Sequence, residues 1–451
     1  MNTGLLGYAS YLPRHRLCGQ DIGMRGGDRV IASYDEDSTT MAVAAASHLV
    51  TSTVAPAALY FATSSPAYAD KTNATALHAA LGLPPDVLAA DMCGTGRSAF
   101  AAMAAAANGG GLVVAADVRV GKPGSADEKL GGDGAAALLF GAGDVIAEHL
   151  ASRSVTEEFL DRWRDPTAIT GQQWEERFGG QRYAALIRSA ARGALDAAGI
   201  ADPDHVVLAC PNSGVVKRAH TLVKGQKTVS TSAAGFSGAA DALIALCGAL
   251  DIAQPGETVL VLSATDGCDA MVLRTTAQLS GARQPRPLSD QRAEGAVVEH
   301  LRYLSWRGLV AVEPPRRPEP DRSAAPPASR AARWKFGLTG SRCRHCGFTH
   351  LPSVRVCRSC GATDEMDPAP ASRLSGTVVT YTVDRLAFSP SPPMVQAVID
   401  VDGGGRCTLE VADARPDQLR VGARVRFSFR RLFTAGAVHD YFWKAIQDDA
   451  E

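Results

Sequence analysis

The chain has 451 residues, 46% of them hydrophobic, and sets 46 lysines and arginines against 47 aspartates and glutamates for a formal net charge of −1. That length and apolar content suffice for one large core and leave room for a second. A near-neutral balance with only 6% aromatic residues argues against a nucleic-acid binder held by phosphate contacts, and no apolar run is long enough to span a bilayer.

The opening Met1-Asn2-Thr3-Gly4-Leu5-Leu6-Gly7-Tyr8 lacks the basic region and apolar core of a signal peptide, so a cytoplasmic location is expected. Of the ten cysteines, four fall in one metal-like cluster and six are scattered through apolar segments, which does not read as a disulfide framework. The first stretch with chemical promise is Ala89-Ala90-Asp91-Met92-Cys93-Gly94-Thr95-Gly96-Arg97-Ser98, a buried strand running into an alanine-rich helix that continues to Ala107. It predicts a thiol, Cys93, at a helix start, where unpaired backbone N–H groups lower a thiol's pKa and can hold the oxyanion of an attacked thioester. The helix feeds an apolar strand, Leu112 to Asp117. A second copy of this pattern follows: Phe236-Ser237-Gly238-Ala239-Ala240-Asp241 opens a helix to Leu250, and Pro255-Gly256 leads to the strand Val259-Leu260-Val261-Leu262-Ser263. Continuous apolar strands are buried on both faces, and helices this poor in large side chains pack closely, so a duplicated α/β unit with a central helix layer is expected.

Together with that echo, a series of motifs carries a family resemblance. They are Gly7-Tyr8-Ala9-Ser10-Tyr11-Leu12-Pro13, Asp35-Glu36-Asp37-Ser38-Thr39-Thr40-Met41-Ala42, Ser65 to Thr75, Ala116-Asp117-Val118-Arg119, Gly131-Gly132-Asp133-Gly134-Ala135-Ala136 and Tyr303-Leu304-Ser305-Trp306-Arg307-Gly308. In this order they resemble the thiolase superfamily, in the branch of 3-hydroxy-3-methylglutaryl-CoA synthases and ketoacyl synthase III enzymes. The resemblance implies a duplicated five-layered fold over residues 1–312. It makes Cys93 the nucleophile that takes an acyl group from a CoA or acyl-carrier-protein thioester, in a homodimer.

The chain also departs from that family. The resemblance places the family's His at Ala209 of Ala209-Cys210-Pro211-Asn212, its Asn near Ala234 of Ser232-Ala233-Ala234-Gly235, and its acid/base Glu at Ser64 of Thr63-Ser64-Ser65. Each lost oxyanion donor is worth roughly 2–4 kcal/mol in a transition state, and a serine does not replace the Glu as a proton carrier near neutral pH. Carbon–carbon condensation, hydroxymethylglutaryl-CoA synthesis included, is therefore not expected, whereas acylation of Cys93 asks for less. Asn212 and Ser64 are candidate auxiliary polar groups, with Ser232, Ser237 and Asp266 at element ends nearby, although such residues are usually caps and turns. Cys210 reads as a filler for the missing side chain, and His220, behind Lys217-Arg218-Ala219, as a solvated surface histidine.

After Val312 the composition changes. Residues 313–335, beginning Glu313-Pro314-Pro315-Arg316-Arg317-Pro318, are rich in proline and arginine and read as an extended linker. Residues 336–366 hold Cys343-Arg344-His345-Cys346 and Cys357-Arg358-Ser359-Cys360, two Cys-x-x-Cys knuckles followed by Gly347 and Gly361. That spacing predicts a closed, structural tetrahedral zinc in a zinc ribbon. Residues 367–451 alternate short strands, Thr377–Thr382, 394–401, 408–411, 425–429 and 441–446, and read as a small all-β OB barrel. A ribbon followed by such a barrel resembles the OB-fold proteins that accompany thiolases. Two functions follow: an acyltransferase working through Cys93, or a catalytically silent subunit that scaffolds a partner thiolase through its OB and zinc module. Nucleic-acid binding through the barrel is disfavoured by the charge balance.

Overall fold

The computed structural model describes residues 3–448 apart from 25, 51–54, 314–315 and 317–319. The chain forms two compact units: Met1–Ala32, Asp37–Thr75 and Pro84–Val310 make the first, and Ser33–Glu36, Ala76–Leu83 and Ala311–Glu451 the second. None of the described helices is long and apolar enough to cross a membrane.

The first unit is built on ten strands: β1 (Gly4–Tyr11), β2 (Ala58–Thr63), β3 (Leu88–Cys93), β4 (Gly111–Asp117), β5 (Gly134–Gly141), β6 (Ala147–Thr156), β7 (His205–Ala209), β8 (Thr228–Ser230), β9 (Thr258–Ser263) and β10 (Gly267–Thr275). They hydrogen-bond in the order β8-β7-β9-β10-β6-β1-β5-β4-β2-β3. Numbered within its own half, each set of five strands has the order 3-2-4-5-1. The parallel and antiparallel pairings also repeat, since β2 is parallel to β3 and β4 as β7 is to β8 and β9. The two halves meet where β1 pairs with β6 at Gly4–Glu148 and Leu5–Ala147. The echo in the sequence is thus a structural duplication.

Four helices complete the layers: α1 (Ser38–Ala46), α2 (Gly96–Gly109), α3 (Glu176–Ala198) and α4 (Asp241–Ile252). Helix α2 packs on β2 and β4, α4 on β7 and β9, and the two touch each other. Alanines 99, 102, 106, 242, 245 and 249 face this central core, where Leu and Phe side chains would hold the helices apart. On the outer faces α1 covers β1, β4 and β5 while α3 covers β6 and β10, so the layers run helix, sheet, helix, sheet, helix. Helix α2 begins at a capping box: the Thr95 hydroxyl accepts from Arg97 N at 3.2 Å and the Ser98 hydroxyl from Thr95 N at 3.4 Å. Strand β3 is the sheet edge, and Leu88 on it is 60% exposed.

In the second unit, β11 (Thr339–Cys343), β12 (Thr349–His350) and β13 (Met366–Pro370) form a small ribbon. Strands β14 (Ser375–Asp384), β15 (Met394–Val401), β16 (Arg406–Glu410), β17 (Arg424–Ala435) and β18 (Val438–Gln447) follow the order β16-β15-β14-β17-β18. A parallel bridge from Val411 to Ala445 closes them into a barrel. Alternate residues such as Val395, Ala397 and Ile399 point inward, as a pleated strand requires.

Part of the stretch expected as linker, residues 314–315 and 317–319, lies outside the described residues. Its C-terminal part is not extended: 325–330 and 332–337 form two short helices. Trp334 lies 5.3 Å from Phe442 and Phe336 5.8 Å from Phe429, ring to ring, and the Trp443 indole donates to the Phe336 carbonyl at 2.7 Å. Two aromatic residues in an otherwise polar stretch were enough to seat it on the barrel.

Candidate active site and metal centre

Cys93 closes strand β3 and is exposed. Its neighbour across the pair is Thr63, the last residue of β2. One residue further, Ser64 and Ser65 gather around Asp117, which ends β4. The Asp117 carboxylate accepts from the Thr63 hydroxyl (2.8 Å), from Ser64 N (2.7 Å) and Ser65 N (3.0 Å), from the Ser64 and Ser65 hydroxyls (2.7 and 2.9 Å) and from Ala239 N (2.6 Å). Six donors on one buried carboxylate clamp the ends of β2 and β4 to the segment leading into α4. Gly238 is indispensable to this clamp: its φ is +57°, and a Cβ there would lie 2.0 Å from Asp117 Oδ2. The ends of β2, β3 and β4 and the segment that leads into α4 in the other half therefore come together around Asp117.

The expected lowering of the Cys93 pKa is not found. Its thiol is pushed up, first by partial burial and then by the Asp91 and Asp117 carboxylates. The local geometry gives the reason. Helix α2 starts three residues beyond Cys93, and four of the five N–H groups from 94 to 98 already have acceptors. Gly94 N donates to the Thr63 carbonyl at 3.1 Å, Thr95 N and Arg97 N serve the capping box, and Ser98 N bonds to the Thr95 carbonyl at 3.1 Å.

Ser64 is brought to the site and Asn212 is not given a free group there. The Ser64 hydroxyl, besides donating to Asp117, accepts from Arg119 Nη1 at 3.0 Å. Asn212 is fully buried and caps the one-turn helix Ser213–Val216: its Oδ1 accepts from Val215 N at 3.1 Å and its Nδ2 donates to the Glu176 carbonyl at 2.7 Å. Cys210 is buried and its thiol is raised by desolvation, as suits a space-filler. Asp266 sits in the left-handed region (φ 52°) after β9, its carbonyl accepting from Arg97 Nη1 at 2.6 Å. Ser237 N bonds to the Asp241 carboxyl at 3.0 Å. Burial pushes that carboxyl up to about 7, against the bonds from Ser237 and Ser232 that hold it down. His220 is exposed on its surface helix.

Sequence reading missed a set of arginines. Arg119, just past β4, stacks on Phe236 with 5.4 Å to the ring centroid, and Arg162 approaches the same ring at 5.4 Å. Arg164 donates to the Ser64 carbonyl at 2.5 Å and the Ala168 carbonyl at 3.0 Å. Desolvation, followed by repulsion from Arg162 and Arg164, lowers the Arg119 pKa against the pull of Asp117 and Asp127. The available signal was the motif Ala116-Asp117-Val118-Arg119 itself, whose two charged residues both turn inward.

In the second unit the sulfurs of Cys343, Cys346, Cys357 and Cys360 all lie within 4.8 Å of one another, with 3.7 Å between 343 and 360 and 3.5 Å between 346 and 357. Four sulfurs at about 2.3 Å from a tetrahedral zinc sit about 3.8 Å apart, so the cluster is compatible with that ion. Gly347 and Gly361 turn each knuckle at φ 75° and 78°.

Comparison with known proteins agrees with this architecture. The family described as ChsH2, C-terminal OB-fold domain, matches residues 369–430. Over 328 residues the chain is 29% identical to the hydroxymethylglutaryl-CoA synthase of Methanopyrus kandleri, covering 65% of this chain and 94% of that protein. Among solved structures, 3-oxoacyl-(acyl carrier protein) synthase III, FabH, from Pseudomonas aeruginosa PAO1 superposes with a TM-score of 0.54 at 20% identity, over 61% of this chain and 98% of that one. The curacin biosynthetic pathway HMG synthase in complex with acetyl donor-ACP gives a TM-score of 0.58 at 16% identity, over 68% and 88%. The first unit thus has the thiolase-like fold, similar in sequence to hydroxymethylglutaryl-CoA synthases, and is followed by a four-cysteine ribbon and an OB-fold.

Proposed function

We propose that this chain is a thiolase-like acyltransferase in which Cys93 takes an acyl group from a CoA or acyl-carrier-protein thioester. The Cys93 thiolate attacks the thioester carbonyl carbon, a new C–S bond forms, the bond to the carrier sulfur breaks, and the released thiolate takes up a proton. The observation that carries this reading is an exposed thiol at the end of β3, braced through Thr63 and Asp117, to which the second half adds the Ala239 N–H. Relatives named for a CoA thioester and a structural neighbour bound to a donor carrier protein support the substrate class. Ala209, Ala234 and Ser64 stand where the family resemblance places His, Asn and Glu, so the proposed chemistry stops at acyl transfer without condensation. The four cysteines would hold a structural zinc with no open coordination position. The unpaired edge of β3 favours a homodimer built across that strand.

The raised Cys93 thiol favours a second reading, a silent subunit that scaffolds a partner thiolase through its OB and zinc module. Intact-protein mass spectrometry after incubation with acyl-CoAs and acyl carrier proteins separates the two. Acyl transfer requires a mass gain that Cys93→Ala abolishes. No labelling by any donor leaves the scaffold reading in its place, and hydroxymethylglutaryl-CoA formed from acetyl-CoA and acetoacetyl-CoA would overturn both.

A further inference from the structure

We infer that Arg119 and Arg164 form an anion subsite that receives a terminal carboxylate on the acyl group delivered to Cys93, so that the donors are thioesters of dicarboxylic acids. This rests on the acyl-transfer reading of Cys93. Arg119 makes one side-chain hydrogen bond, to the Ser64 hydroxyl, and its Nε and Nη2 make none. Arg164 bonds only to the carbonyls of Ser64 and Ala168. Among the described residues neither guanidinium has a carboxylate partner, and the acids in reach are already engaged. Asp117 carries its six donors, Asp127 pairs with Arg162, and burial pushes the Asp241 carboxyl up to about 7. Arg119, Arg162 and Arg164 therefore gather around Ser64 and Phe236 with, among the described residues, one ion pair between them, Arg162 to Asp127. Such a group gains most from an anion whose two oxygens match the guanidinium fork.

The position suits an acyl chain. Ser64, which both arginines touch, follows Thr63, the residue paired with Cys93. Arg119 and Phe236 also border, with Pro211 and Ser213, a crevice of about 20 Å³, too small for an acyl chain, so the carboxylate would meet Arg119 from the Ser64 side. The two acids on its wall, Asp127 and Glu176, are occupied, the second by Ser213 and Gly214. Where the family resemblance places a proton-carrying Glu, this chain has a serine, which adds no negative charge beside Arg119.

The test uses the full-length protein and two donors of equal carbon count, succinyl-CoA and butyryl-CoA, with acylation of Cys93 followed by intact mass. Succinyl transfer is expected to be faster by tenfold or more, and the ratio to fall towards one in Arg119→Ala, with Arg119→Lys restoring part of it. Arg164→Gln serves as a second variant, and urea midpoints show that each variant is folded. Equal rates for the two donors overturn the subsite while leaving Cys93 acylation standing. If neither donor acylates Cys93, calorimetry with free succinate decides the subsite alone. Binding lost in Arg119→Ala upholds it, and no binding, or binding unchanged in that variant, refutes it. Arg119-dependent binding of inorganic phosphate without succinate binding would show that the anion is the carrier's phosphate and overturn the carboxylate assignment.

Discussion

Replacing Asp117 by asparagine removes the charge that clamps the site while changing its shape very little. The four donors on Oδ1, from Thr63, Ser64 N and both groups of Ser65, can keep an oxygen if the amide oxygen takes that side. The amide NH2 must then face Ala239 N, which donates to Oδ2 at 2.6 Å, and the Ser64 hydroxyl at 2.7 Å. Ser64 accepts from Arg119 with one lone pair and can take the new donor on its other, but Ala239 N has nothing to accept with. One buried backbone N–H is left facing another N–H, which costs about 1–3 kcal/mol, and several charge-assisted bonds become ordinary ones at a further loss of roughly 1–2 kcal/mol in all. Gly238 leaves no slack for relaxation, because its backbone lies against the same oxygen. The Asp117→Asn protein should thus be less stable by about 2–5 kcal/mol, measured as the shift in urea midpoint at constant m-value. A loss below about 1 kcal/mol would refute the claim that this carboxylate holds the strand ends together.

A thiol raised above its ordinary pKa reacts mainly as pH climbs, so alkylation of Cys93 by iodoacetamide should keep accelerating through pH 9; a plateau near neutrality would mean a stabilised thiolate. Asp241 binds a proton in the folded chain that the unfolded chain releases, so its contribution to stability is full below the ordinary carboxylate pKa. That contribution falls as pH rises through about 7, and on the order of 4 kcal/mol is at stake. Asp241→Asn should flatten the decline between about pH 4 and 7 expected in urea midpoints of the parent protein, and an unaltered profile would contradict the assignment. Elemental analysis should find about one zinc per chain, lost with Cys357→Ala together with thermal stability; a stable metal-free variant would refute a structural role. Arg430 in β17 is buried, with Asp35, Glu36 and Asp413 at 3.1, 3.1 and 2.8 Å. Arg430→Ala leaves those acids without that cation and should cost about 3–5 kcal/mol of unfolding free energy in denaturant titration.

Local pattern made much of this chain legible. The alternation of small-residue helices with continuous apolar strands announces a duplicated α/β unit, because burial on both faces leaves a strand no polar side. The Cys-x-x-Cys pairs and the short alternating strands announce a ribbon and a barrel, since knuckle spacing and a period of two are set within a few residues. The environment of Cys93 was misjudged for the complementary reason. Proximity to a helix start is visible in sequence, but whether the N–H groups there remain free depends on the Thr63 carbonyl, supplied by a strand thirty residues earlier. Asn212 and Ser64 looked equivalent as short polar residues at element ends. Tertiary structure made one a helix cap and placed the other between Asp117 and Arg119. The arginine group around Phe236 draws on residues from 119 to 236, and the Asp117 clamp on residues from 63 to 239. A sequence sets which side chains and which periodicities exist. The balance of charge, desolvation and hydrogen bonding at a point depends on groups brought together by the fold, and that balance only the tertiary structure decides.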